Sequence, residues 1–122
     1  MIYKQGDIII MPVPYTDLTS FKRRPVLVVS HDGYNQKQKD LIVMGVTSNT
    51  TDRDYIVKFD TADLKSGTIL KKSCIRADKI FALDRSVVLK KIAAVSDGIL
   101  ERAIEMLGEA IAPNCKGASR PQ

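Results

Sequence analysis

The chain has 122 residues, 44% hydrophobic and 27% charged, the proportions of one ordinary soluble globular domain. Nineteen Lys and Arg against fourteen Asp and Glu give a net charge of +5, which favours polyanionic partners, nucleic acid first, although a mild lysine excess also serves solubility alone. No apolar run approaches the roughly 18 residues of a membrane-spanning helix, which excludes a helical membrane protein.

Residues 7–11, rich in isoleucine between Gly6 and Pro12, read as a first strand buried on both faces. Asp7 interrupts the apolar N-terminus and no small-residue cleavage site follows, which argues for the cytoplasm over secretion. Residues 12–24 (PVPYTDLTSFKRR) mix prolines, hydroxyls and a basic triplet and read as a long exposed loop. Residues 25–30 (PVLVVS) and 41–47 (LIVMGVT) have the β-branched content of central strands, with a turn around Asp32, Gly33 and Asn35 between them. Residues 48–54 form a polar turn, 55–59 a half-exposed strand and 60–67 a connection.

Residues 68–83 hold two further apolar stretches, and alternation in the second puts Arg76 and Asp78 on one side of a strand. Residues 87–92 fit a strand or a short helix. Ser96 or Asp97 then caps a helix running to about Ile111, with Leu100, Ala103, Ile104, Leu107 and Ile111 on its packed face. Residues 113–122 have little to bury and read as a disordered tail carrying a free Cys115. The domain therefore covers residues 1–112. Short strands in succession followed by one helix give a mainly β fold, an antiparallel, partly closed small barrel with a C-terminal helix.

The chemistry is narrowed by what is missing. A single histidine and two distant cysteines cannot supply a zinc site, and His31, in an HDG turn, reads as a solvated loop residue. No phosphate-binding glycine loop, dinucleotide fingerprint or nucleophile elbow occurs, and no cofactor is implied. Hydroxyls, carboxylates and arginines remain. They suit metal-free attack of an RNA 2′-hydroxyl on its neighbouring phosphate, because the substrate carries its own nucleophile.

GDII (residues 6–9), PYTDLTS in the first loop running on to RPVLVVS (24–30), LIVMGVTS (41–48) and SCIRADKIFALD (73–84) stand in the order and spacing of a known family. In these blocks the chain resembles the MazF/PemK toxins of type II toxin-antitoxin systems, metal-free ribonucleases on the small SH3-like barrel that CcdB toxins share. The likeness runs from Gly6 to the terminal helix. It implies a sequence-selective endoribonuclease that cleaves single-stranded messenger RNA to a 2′,3′-cyclic phosphate and arrests growth. It also implies a homodimer neutralised by a cognate antitoxin, with which such toxins bind DNA.

By this resemblance Arg24 matches the arginine at the cleaved phosphate, and Thr47 matches a threonine or serine beside it. Arg76 and Asp78 match an Arg-x-Asp pair that some members use as acid and base. Arg24 and Arg76 offer planar forks for phosphate oxygens, and Asp78 is the candidate base. Tyr15, Phe21, Lys22, Arg23, Ser48 and Ser73 are the RNA-binding candidates, the aromatic rings by stacking and the cations by phosphate attraction. Tyr55 is a further aromatic candidate. From spacing alone, Arg76 and Asp78 read as an ordinary surface ion pair worth well under ~1 kcal/mol. Thr47 can simply close its turn, and Arg24 can be one of three solvated charges.

Lys79 stands where many members have glutamine, and the first loop has neither the histidine nor the glycines of other members. Two competing readings stand beside the nuclease. One is a non-catalytic gyrase-directed toxin of the CcdB type, acting through the terminal helix. The other is an RNA-binding barrel without activity.

Overall fold

A computed structural model describes residues 2–14 and 21–114. The chain runs through β1 (Asp7–Pro14), β2 (Phe21–Val28), α1 (Asp32–Lys37), β3 (Asp40–Thr47), β4 (Ile56–Phe59), β5 (Leu64–Gly67), β6 (Ser73–Asp84), β7 (Lys90–Val95) and α2 (Asp97–Ala110). The strands form one antiparallel sheet in the order β4-β6-β3-β2-β1-β7-β5. The expected mainly β fold with a C-terminal helix is what the chain adopts. The ladder itself stays open, with β4 and β5 at its two ends.

The continuous apolar runs sit where such runs belong, in strands covered on both faces. Ile8, Leu27, Met44 and Ile75 pack on one face with Ile99 and Ala103 of α2. Ile9, Met11, Val26, Val28, Leu41 and Val43 form a second, smaller cluster on the other face, with Tyr3 over it. Burying an Ile, Leu or Val side chain contributes about 1.5–3 kcal/mol, so the two clusters supply most of the drive to fold.

Four elements differ from the sequence reading. The expected loop over 12–24 is in large part a hairpin, with Pro12 opposite Arg23 and Pro14 opposite Phe21. Its prolines are tolerated because Pro12, Pro14 and Pro25 share one parity of the β1–β2 ladder. Pro12 and Pro14 also lie beyond Ile10, the last residue of β1 paired with β7, so no neighbour needs their missing amides. The turn at residues 32–35 is the helix α1. His31 caps it, its Nδ1 accepting the Gly33 amide at 2.9 Å, so the residue is exposed but has a structural task.

The connection over 60–67 contains the edge strand β5, whose polar composition hid a ladder made with β7 alone. On α2, capped by Ser96, the buried face is Ile99, Leu100, Ala103, Met106 and Leu107. Ile104 and Ile111 are 40% and 69% exposed, because the stripe that begins at Ile99 satisfies the same 3–4 spacing and meets the sheet instead. Residues 115–122, with Cys115, lie outside the described residues.

Two glycines separate backbone need from chance. Gly67 has φ +78°, and a Cβ there would stand 2.3 Å from the Ile92 carbonyl oxygen, whereas a Cβ on Gly108 meets nothing within 4 Å. Gly67→Ala is expected to cost about 2–3 kcal/mol, and Gly108→Ala to add about 0.5–1 kcal/mol. Urea unfolding midpoints moving in opposite directions check this; equal shifts contradict it.

Candidate nucleic-acid cleavage site

On the face away from α2, the far ends of β1, β2, β3 and β6 enclose an open cleft of about 230 Å³. The register builds it. Val26 of β2 pairs with Gly45 of β3, and continuing that ladder by two residues sets Arg24 level with Thr47. Thr47 pairs in turn with Cys74 of β6, and Gly45 with Arg76. Directly paired residues share a face, so Arg24, Thr47, Cys74 and Arg76 converge and all line the cleft.

The ladder between β3 and β6 then breaks. Met44 pairs with Ile80 while its neighbour Gly45 pairs with Arg76, so the β3–β6 register passes over Ala77, Asp78 and Lys79 in a bulge. Counting forward from Arg76 puts buried Ala77 toward the α2-side core and Asp78 toward the cleft. Counting back from Phe81, which lines the cleft, puts Lys79 there too. Two consecutive side chains thus face one side, which a regular strand forbids. The Ala77 amide donates to the Tyr55 carbonyl at 3.0 Å, and Tyr55 holds φ +62° to present it. Gly45 eases the close approach of the two strands, since a Cβ there would sit 3.3 Å from the Lys79 Cβ.

Lys22, Arg24, Arg53, Arg76 and Lys79 line the cleft, and no Asp or Glu is among the described residues that do. In so concave a site their fields add. Asp78 adjoins it through Arg76, whose Nη2 donates to Asp78 Oδ2 at 3.1 Å. The Arg76 side chain is 23% exposed and its Nε is buried without an acceptor among the described residues. A buried, unsatisfied guanidinium N–H is costly, and an anionic oxygen in the cleft would relieve it.

The Thr47 hydroxyl accepts the Asn49 amide at 3.1 Å, so Thr47 does close its turn, and it lines the cleft as well. Burial pushes the Cys74 thiol up, against the pull of Lys58 and Arg53, so it stays a neutral floor residue at pH 7.

The expected residues therefore separate. Arg24, Thr47, Arg76 and Lys22 meet at the cleft, and Asp78 reaches it through Arg76. Arg23, exposed and paired with Pro12, lies off it, since alternation turns it away from the side that Lys22 and Arg24 share. Ser48 is exposed beyond the end of β3. Ser73 is buried, its Oγ donating to the Lys71 carbonyl at 3.0 Å. Tyr15 and the side chain of Phe21 lie outside the described residues, and Tyr55 does not line the cleft.

Asn49, Arg53, Cys74 and Lys79 were not anticipated. A polar turn directly after Thr47 was a usable signal for Asn49 and Arg53, whereas Lys79 depends on the bulge. Among the described residues, no three His, Cys, Asp or Glu are placed to hold a metal ion. No helix among them is long and apolar enough to cross a membrane.

The whole fold has known counterparts. An endoribonuclease from a mycobacterial species superposes with a TM-score of 0.73 at 16% identity, covering 94% of this chain and 96% of its own. A mycobacterial endoribonuclease in complex with its cognate antitoxin gives 0.74 at 17%, covering 91% and 97%. MazE–MazF from Deinococcus radiodurans gives 0.71 at 23%, covering 93% and 99%. No curated protein sequence matches the chain. The family model for PemK-like, MazF-like toxins of type II toxin-antitoxin systems matches residues 4–111, and with that span the chain belongs to this family.

Proposed function

We propose that the protein is a metal-independent, sequence-selective endoribonuclease toxin acting on single-stranded RNA. The observation that carries this reading is the convergence of Arg24, Thr47 and Arg76 in one cationic cleft, with Asp78 3.1 Å from Arg76. Arg24 and the Nε of Arg76 bind the non-bridging oxygens of the scissile phosphate and stabilise the charge that grows there. Thr47, whose oxygen already accepts the Asn49 amide, donates its own proton to a phosphate oxygen. The Asp78 carboxylate takes the proton of the 2′-hydroxyl. The resulting 2′-oxygen attacks phosphorus, the bond to the 5′-oxygen breaks, and that oxygen leaves with a proton from water admitted by the open cleft. The products are a 2′,3′-cyclic phosphate and a 5′-hydroxyl.

An arginine stays protonated at any working pH, so its task here is charge stabilisation. A cognate antitoxin is the partner in this reading, in line with the mycobacterial endoribonuclease solved in complex with its own, and its binding over the cleft restrains the toxin in the cytoplasm. A homodimer is supported by the apolar side chains left exposed at Ile80, Val87 and Leu89. A sedimentation mass near 13.5 kDa at micromolar concentration contradicts that dimer.

Purified protein incubated with a long single-stranded RNA in EDTA should give discrete cuts ending in 2′,3′-cyclic phosphates. Arg24→Ala should lower the rate by about 10²–10³-fold, and Asp78→Asn by about 10²–10⁴-fold. Intact RNA with folded protein overturns the nuclease reading. Growth arrest that survives both substitutions but is lost on changing Ile104 points instead to a gyrase-directed toxin acting through α2.

Binding of a non-cleavable RNA should weaken with salt. Lys22→Gln, in the cleft, should reduce the slope of log K against log salt by about 0.7, and Arg23→Gln, outside it, should leave the slope unchanged. Equal effects at the two positions contradict the placement.

A further inference from the structure

The cations of the cleft bind phosphates, which every RNA sequence offers alike, so selectivity has to come from neutral groups that meet base edges. Among the described lining residues the neutral polar side chains are Thr47, Cys74 and Asn49. Thr47 belongs to the reacting phosphate in the reading above, and Cys74 is a buried thiol. Asn49 is exposed on the turn that follows Thr47.

Which way its amide faces is settled by its partner. Asn49 Oδ1 accepts the backbone amide of Thr51 at 3.1 Å and the Thr51 hydroxyl at 2.7 Å. A backbone N–H can only donate, so the atom opposite it must be the oxygen. Both acceptor positions of Asn49 are thereby engaged on the protein side, and its NH₂ is the end left to donate. A further hydrogen bond, from the Asn49 backbone N–H to Thr47 Oγ1 at 3.1 Å, holds the turn that carries this side chain beside the candidate reacting centre.

We propose that Asn49 is a specificity-determining residue that selects, at one nucleotide beside the cleaved bond, a base with a keto oxygen at purine C6 or pyrimidine C4. Guanine O6 and uracil O4 accept from an NH₂ group, whereas at the same positions the N6 amino group of adenine and the N4 amino group of cytosine put a donor against a donor. Thr51 is a positioning residue, since its hydroxyl and amide keep the amide from turning over. This inference rests on the nuclease reading, and the experiment separates the two.

The test is cleavage of an RNA library randomised around a fixed segment, with every cut end sequenced, by the wild-type protein, Asn49→Asp and Thr51→Val. Wild-type cuts should show one position enriched roughly tenfold or more for G and U over A and C. Asn49→Asp keeps an acceptor for both Thr51 donors and replaces NH₂ by a second acceptor. It should therefore shift that one position toward A and C while other positions keep their profile. Thr51→Val should flatten the preference there without lowering the rate at a preferred site more than a few-fold.

A wild-type profile with no keto-selective position overturns the assignment of Asn49, as do profiles unchanged in both variants. RNA left intact by the wild-type protein overturns the nuclease reading instead.

Discussion

The geometry of the site depends on one irregularity, the shift in the β3–β6 register between Gly45 and Met44 that passes over three residues of β6. A regular ladder would send Lys79 to the face opposite Arg76 and Asp78. The bulge resets the alternation, so that Ala77 fills the core under α2 while Asp78 and Lys79 both turn outward. Its supports are local and specific: a carbonyl from Tyr55 at positive φ, and the missing side chain of Gly45. A sheet buried on both faces is stiff enough to hold such a distortion in one place.

Electrostatics follow from that placement. Arg24 and Lys22 come from one hairpin arm, Arg53 from the turn after β3, and Arg76 and Lys79 from the two sides of the bulge. Holding these charges together without a carboxylate among the described lining residues costs self-repulsion, which a polyanion relieves and a neutral ligand does not. Asp78 moderates the repulsion through Arg76. Two such groups in direct contact act as a unit, so single substitutions at Arg76 and Asp78 will not add.

Much of this was legible in the sequence, for identifiable reasons. Uninterrupted aliphatic runs fixed β1, β2 and β3 because strands covered on both faces admit nothing else, and Ser96 marked the start of α2. Arg24, Thr47, Arg76 and Asp78 were found through their resemblance to a family, since spacing alone left them as a surface pair, a turn hydroxyl and one charge of three. What escaped had non-local causes. β5 is polar and rests on one neighbour, the prolines of the first hairpin are harmless because of their parity and because the pairing of β1 with β7 stops at Ile10, and the face of α2 was decided by Ile99 meeting the sheet. Lys79 joins the cleft through a register break that no local pattern encodes. Asn49 gains meaning only once Thr51 is seen to hold its oxygen.

The central claim is that this cleft is where RNA lies, and the buried Nε of Arg76 is its most direct reporter. Nuclear magnetic resonance of the arginine Nε–H groups can be followed while an RNA oligonucleotide made non-cleavable by 2′-deoxy substitution is added. The account predicts that the Arg76 and Arg24 signals shift markedly as phosphate oxygens engage them, with Arg102 on α2 unmoved. Signals of Arg24 and Arg76 that stay in place while resonances of α2 move would contradict it.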